Sequence, residues 1–281
     1  MRTGAAIFFV FLWGTAFIPS KIGLLASSPL WFLAVRFAVS GVLTLAIAFW
    51  SGARLPSGGR TWLAILALGI LANAVYLGCT YEALRHLAAG VGAVIASTNP
   101  LLLALVAPAL LNEPLTRRKA VGLALGFCGV AWIMIARTGT GTAEPHDVLL
   151  ALIGTAGSVA STIVFKRYLA HLDVKMTTAL QLGCAALVLV PVAFVLEGAP
   201  HATWGIPLVA SFAYLVAVMS IGASLLWFWL LEKGEASRVT AFFFLSPVFG
   251  LLLASLFGEP LTFRDLGGLI AIAVGIAVVQ R

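Results

Sequence analysis

Apolar runs of about 20 residues, repeated along the whole chain, limit this sequence to very few folds. At 1.5 Å per residue, one such run crosses the roughly 30 Å hydrocarbon core of a bilayer as a single helix. Of the 281 residues, 62% are hydrophobic and only 10% charged, against about 25% charged in ordinary soluble domains. So few charges cannot keep a soluble surface wet, and the chain is read as an all-α integral membrane protein. Ten helices are predicted between breakers, at approximately 4–25, 30–50, 61–83, 89–111, 119–137, 148–169, 175–196, 206–231, 236–257 and 263–280. The connectors "SGARLPSGGR" (51–60), "TGTGTAEPHD" (138–147) and "EGAPHATWG" (197–205) carry turn chemistry and hold no soluble domain. The start resembles a signal peptide, but its apolar run reaches about Leu25 without a small-x-small cleavage site. It is expected to be an uncleaved first span.

The ten stretches fall into two copies of five. "NEPLT" at 112–116 returns as "GEPLT" at 258–262, so that Glu113-Pro114-Leu115-Thr116 matches Glu259-Pro260-Leu261-Thr262 at an offset of 146. Trp13 to Lys21 align with Ser158 to Lys166, and Arg36 with Gln181, at 145. Asn99 and Pro100 match Ser246 and Pro247 at 147, while Gly122 and Gly129 match Gly268 and Gly275 at 146. The chain therefore reads as a tandem duplication, with one five-helix repeat over 1–137 and another over 148–281. Because five is odd, the second copy must enter the membrane from the opposite side. The cations agree: twelve lie on the side that holds both termini and the even-numbered loops, and four on the other. The positive-inside rule then puts both termini in the cytoplasm. The net charge of +7 belongs to span ends, and no nucleic-acid partner is implied.

The two EPLT corners are thus the same turn on opposite membrane faces, and only the first runs into the basic cluster Arg117-Arg118-Lys119. Pro114 and Pro260 stiffen the turn, Thr116 or Thr262 can cap the next span, and Asp265 follows Thr262 at capping-box spacing. Glu113 and Glu259 are expected to be interface residues at a helix entry.

The EPLT corners, "FLWGTAFIPSK" in the first span and "AVRF" in the second resemble the EamA-type drug/metabolite transporter superfamily, over essentially the whole chain. In length and organisation the chain is similar to bacterial amino-acid exporters of the YddG type. The resemblance implies ten transmembrane helices as two inverted-topology five-helix repeats around a central cavity. That cavity would be lined mainly by the third, fourth, eighth and ninth spans, aided by the first and sixth. One departure stands out: Gln181 occupies the place of Arg36, so a mechanism needing a symmetric arginine pair does not apply.

Polar residues inside spans nominate a pathway independently of any family, since facing lipid would be costly. In the fourth span, Ser97 and Asn99 lead into Pro100 near the midplane, and Ser246-Pro247 holds the matching depth in the ninth. Each proline lacks an N–H and is expected to free the carbonyl four residues earlier, Ala96 or Phe243. Paired Pro-interrupted helices in two halves point to a transport site; the alternative is a simple kink. Asn73, Tyr76 and Thr80 share one face of the third span; Ser158, Ser161 and Thr162 share one of the sixth; Ser220, Ser224 and Trp227 share one of the eighth. Single serines often only pack helices together, but the three faces jointly suggest a small, polar, uncharged cavity. Its aromatic walls would be Trp13, Tyr76, Tyr81 and Trp227, although Tyr81 could equally be an interfacial anchor. Such a lining suits neutral or zwitterionic molecules with an apolar part, amino acids above all. Phosphorylated substrates would want several cavity cations, whereas only Arg36 lies well inside a span, from which it could snorkel outward.

Glu82, near the outer end of the third span, is the one candidate for proton coupling, the alternative being an exposed ion pair with its neighbours Arg85 and His86. Transport is expected to be downhill and uncoupled, or weakly proton-coupled. No enzyme is expected, because His86, His146, His171 and His201 lie in or beside loops and do not pair with acids at catalytic spacing. No metal or other cofactor is implied either: Cys79, Cys128 and Cys184 all fall in apolar runs with no C-x-x-C spacing. The partners expected are a small-molecule substrate and membrane lipid. Gly122, Gly126 and Gly129, like Gly268 and Gly275, offer faces for close helix packing or for an oligomer contact. A passive channel, and an exporter or flippase of another amphipathic solute or lipid, remain the alternatives to an amino-acid exporter of the inner membrane.

Overall fold

A backbone in hydrocarbon must satisfy its own hydrogen bonds, which leaves a sequence of this kind the helix as its element. The computed structural model describes residues 3–83, 86–87, 89–137, 144–249, 252 and 263–280. These form α1 (Thr3–Thr15), α2 (Phe17–Ala26), α3 (Pro29–Trp50), α4 (Gly59–Ala83), α5 (Ala89–Ala96), α6 (Asn99–Leu110), α7 (Arg117–Arg137), α8 (Pro145–Leu169), α9 (Val174–Glu197), α10 (Ile206–Lys233), α11 (Ala236–Phe249) and α12 (Phe263–Gln280). Six are long and apolar enough to cross a membrane: Thr3–Ala26 taken together, α3, α4, α8, α9 and α10. Shorter apolar helical stretches cover Val94–Leu110, which takes in the end of α5 and all of α6, Ala236–Phe249 and Leu266–Gln280. The second corner, Glu259 to Thr262, with the capping expected of Thr262, lies outside the described residues.

The chain divides into two compact units, and each draws on both halves of the sequence. The first unit comprises Met1–Thr15, Cys79–Val159 and Gly234–Arg281, the second Ala16–Gly78 and Ala160–Lys233.

In the first unit, α7 runs antiparallel along α12, and the two backbones touch at glycines. A Cβ on Gly122 would lie 2.6 Å from the carbonyl oxygen of Gly275, and one on Gly129 would lie 2.8 Å from that of Gly268. Exchanging each glycine for its counterpart in the other half turns one contact into the other. Small residues are what permit such an approach in lipid, where packing and not hydrophobicity drives association.

The corner at 112–116 belongs to the same unit. Asn112 takes a left-handed conformation, φ 57°, and closes α6, with the Glu113 amide donating back to Ala107 O at 3.3 Å. Asn is among the few non-glycine residues that visit this region readily, and the matching position of the second copy is Gly258. Thr116 caps α7, accepting the Lys119 amide on its hydroxyl at 3.2 Å. Glu113 is buried, 8% exposed, and caps a helix from the other half of the chain. It accepts the Ala236 amide at 2.7 Å, the Ser237 amide at 3.0 Å and the Ser237 hydroxyl at 2.8 Å. A carboxylate there meets both the orphan donors and the positive end of the helix dipole.

Lys119, the last residue of the basic cluster that follows the first corner, is turned inward and is only 4% exposed. Its ammonium donates to Glu235 at 2.7 Å and to Pro114 O at 3.1 Å. Glu235, in the connector between α10 and α11, also accepts from Arg238 at 2.9 Å. The hydrogen bond from Lys119 holds the Glu235 carboxyl below its ordinary pKa, against a smaller opposing push from burial and with further help from both cations. A carboxyl depressed on folding stabilises above its unfolded pKa of about 4.3, and loses that contribution as pH falls through the folded value. Thermal melts of wild type should therefore drop below about pH 4 by a component that Glu235→Gln lacks. Because Glu235 is 40% exposed, the variant should lose no more than about 1 kcal/mol at pH 7. Parallel melting profiles for the two proteins in acid would contradict the assignment.

In the second unit, α3 runs antiparallel to α9, and Gly41 reaches Gly183 in their contact. Here too a carboxylate from one half caps a helix of the other. Glu197 accepts the Leu30 amide at 2.9 Å and the Trp31 amide at 3.2 Å at the start of α3. Trp31 Nε1 donates to Gly198 O at 2.9 Å, and Ser27 pairs with Ala202 as an isolated antiparallel bridge. Asp173 caps α9 by accepting the Met176 amide at 2.9 Å. Trp50 and Trp204, both largely exposed near span ends, suit interfacial anchoring.

Candidate functional site

The fourth predicted span does not run through as one helix. It breaks at Ser97-Thr98, between α5 and α6, and Pro100 occupies the first turn of α6, where a missing N–H costs nothing. The ninth also departs from α geometry before its proline: Ala241–Leu245 is 3₁₀, and Pro247 follows. The Phe243 carbonyl, expected to be freed, instead accepts the Ser246 amide. Around the first break, the Ser97 hydroxyl donates to Val94 O and the Thr98 hydroxyl to Ile95 O, each at 2.7 Å. Much of the backbone demand is thus met locally.

Within the first unit, two groupings stand near these breaks in sequence. Asn99, 7% exposed, donates through Nδ2 to Ser158 Oγ at 2.9 Å, joining α6 to α8. Trp13, Phe9 and Phe243 form a three-ring cluster where α1 meets the 3₁₀ segment, with Trp13 and Phe9 lying 5.9 and 5.6 Å from Phe243, both edge-on. Ser246 and Pro247 are half-buried, as are Thr80 and Glu82 near the end of α4, while Tyr81 is buried.

The second unit gathers a different set. Asn73, buried, donates through Nδ2 to Gln181 Oε1. Arg36 does not snorkel: it is 5% exposed, and its Nε donates to Ser220 Oγ at 2.8 Å. The offset that matches Arg36 with Gln181 brings Asn73 to within two residues of Ser220. The two hydrogen bonds are therefore counterparts, one charged and one neutral. Both sit where the helix widens to π geometry, over Ile70–Val75 in α4 and Leu215–Ala223 in α10, at matching places in the two halves. Such turns are rare and frequent at functional sites. Apolar spacing carries no sign of them, and Gln181 was singled out only as a departure from the Arg36 pattern. Ser161 and Thr162 are buried, and Tyr76 and Trp227 half-buried. The Ser224 hydroxyl turns back to Met219 O at 3.4 Å.

A histidine–acid pair does exist, contrary to the expectation from spacing. His86 Nδ1 lies 3.5 Å from Asp147 Oδ1, with Asp147 buried in the first turn of α8. These residues are 61 apart, so no local motif could reveal the contact. Among the described residues, no three His, Cys, Asp or Glu side chains gather as metal ligands.

Comparison with known proteins gives a consistent result. Residues 4–135 and again 147–281 match the EamA-like transporter family. Over 275 residues the chain is 32% identical to the uncharacterized transporter YvbV of Bacillus subtilis, covering 97% of this chain and 89% of that one. It is 26% identical to protein PecM of Dickeya dadantii, over 96% of this chain and 89% of the relative. With the uncharacterized inner membrane transporter YedA of Escherichia coli it shares 27% over 92% of this chain and 84% of that one. A solved protein structure matches with a TM-score of 0.81 at 19% identity, covering 100% of this chain and 98% of the other, which speaks to fold alone.

Proposed function

Because this chain belongs to the EamA-like transporter family, we propose that it is an inner-membrane exporter of neutral and aromatic amino acids and related small metabolites. Transport runs by alternating access between two inverted five-helix repeats, 1–137 and 148–281, uncoupled or weakly proton-coupled, with both termini cytoplasmic. The observation that carries this reading is the matched interruption of two spans, at Ser97-Thr98 before Pro100 and over Ala241–Leu245 before Pro247. Interrupted helices at corresponding places in two halves mark substrate sites in secondary transporters. The inversion is supported by contacts that exchange into one another, Gly122–Gly275 with Gly129–Gly268, between helices that run antiparallel. Amides and hydroxyls dominate the polar groups nominated for the site, which favours neutral or zwitterionic solutes with an apolar part. The inner membrane is supported by the relative described as an inner membrane transporter.

The test is uptake of labelled phenylalanine into proteoliposomes, with and without an imposed pH gradient. Saturable uptake indifferent to the gradient is expected. The double variant Pro100→Ala/Pro247→Ala should slow the initial rate on the order of tenfold, as loss of a gating geometry does. Wild-type flux from that variant would remove the site assignment. Uptake that follows the gradient would make Glu82 the first residue to change.

A further inference from the structure

We propose that Asn99 Oδ1 is the acceptor for the protonated amine of the transported solute, so that Asn99 selects amine-bearing molecules over their deaminated analogues. This rests on the reading of the chain as an amino-acid carrier given above. Asn99 opens α6 immediately after the break at Ser97-Thr98, and it is 7% exposed. Its Nδ2 is committed to Ser158 Oγ at 2.9 Å, which fixes the plane of the carboxamide and with it the direction of Oδ1. Among the described residues no donor reaches that oxygen. The nearest hydroxyls in sequence are already engaged elsewhere, Ser97 with Val94 O and Thr98 with Ile95 O. Buried carboxamide oxygens are almost always hydrogen-bonded, because leaving one unmet costs free energy with no return. A buried acceptor held in one direction by its own amide is suited to a donor that comes and goes.

The kind of donor follows from the oxygen itself. The C-terminal end of α5, at Ala96, and the N-terminal end of α6, at Asn99, bring opposite ends of two helix dipoles to the break, so the helices set no sign of charge there. A carboxamide oxygen only accepts, and an ammonium supplies three donors together with a charge that strengthens the bond. A carboxylate has no proton to give it. Thr177 Oγ1 is the other buried side-chain atom that meets no partner among the described residues, but it stands in the first turn of the unbroken α9.

The experiment uses the full chain in proteoliposomes, with labelled phenylalanine as substrate and two competitors, phenylethylamine and 3-phenylpropanoate. The first keeps the amine and the second lacks it. Wild type should be inhibited by phenylethylamine at least about tenfold more strongly than by 3-phenylpropanoate, since a site built to hydrogen-bond a group rejects an analogue without it. Asn99→Leu should raise the phenylalanine KM about tenfold while bringing the two competitors to near parity. Asn99→Asp, which keeps an oxygen acceptor, should restore the preference for the amine. If the leucine variant does not fold, the competitor ratio in wild type and in Asn99→Asp still decides. Saturable phenylalanine flux with equal inhibition by both competitors overturns the role of Asn99 and leaves the carrier reading standing. No saturable phenylalanine flux overturns both.

Discussion

Glu113→Ala should lower stability by about 3 kcal/mol, because it strands buried donors at the start of a helix. Two amides, Ala236 and Ser237, and the Ser237 hydroxyl all point at this carboxylate. With Glu113 at 8% exposure, water reaches little of the site to replace it. The loss should appear as a marked fall in the melting temperature of the detergent-solubilised protein. Glu113→Gln keeps one oxygen acceptor and should lose about half as much, since its amide nitrogen offers a donor where an acceptor is needed. An unchanged melting temperature in Glu113→Ala would mean that the cap does not hold the helix entry. The effect begins in local sequence. Asn112 turns left-handed and Thr116 caps α7, so the two ends of the corner are set before Glu113 reaches across to the other half of the chain.

Gly122→Val should cost a comparable amount, about 2–3 kcal/mol, by forcing two backbones apart. The new Cβ would sit 2.6 Å from Gly275 O and 2.9 Å from Val279 N. Both are backbone atoms, so no rotamer change relieves the clash. Gly129→Val should behave alike, since its Cβ would lie 2.8 Å from Gly268 O and 3.0 Å from Ile272 N. Gly183→Ala supplies the contrast: nothing lies within 4 Å of its added carbon, and it should be tolerated. The measurement is the melting temperature of each variant under identical detergent conditions. Equal behaviour of Gly122→Val and Gly183→Ala would rule out close backbone contact between α7 and α12.

Some of this was legible without coordinates. Helical segments, the membrane environment and the capping role of Thr116 follow from hydropathy and from turn chemistry, both of which act over neighbouring residues. The repeat offset also paired Gly122 with Gly268 and Gly129 with Gly275. Which glycine meets which was not legible: Gly122 faces Gly275, because antiparallel helices cross their counterparts instead of aligning them. Arg36 illustrates the same limit. A lone cation in a span reads as a candidate for snorkelling, yet a serine 184 residues away holds it inside. The histidine–acid contact between His86 and Asp147 was missed for that reason too.

Among the candidate residues, polarity within the spans pointed to Asn73 in one unit and Asn99 in the other, one residue at a time. It could not say that Asn73 would spend its amide on Gln181, or that Asn99 would keep one oxygen free of donors among the described residues. Nor could proline positions tell that Ser97 and Thr98 would take the break in the fourth span while the ninth tightened to 3₁₀. Hydrocarbon as a solvent judges each residue separately, so span content can be summed along the chain. Caps, crossings and hydrogen bonds between spans need two distant segments at a set distance and angle, and those exist only once the helices have packed.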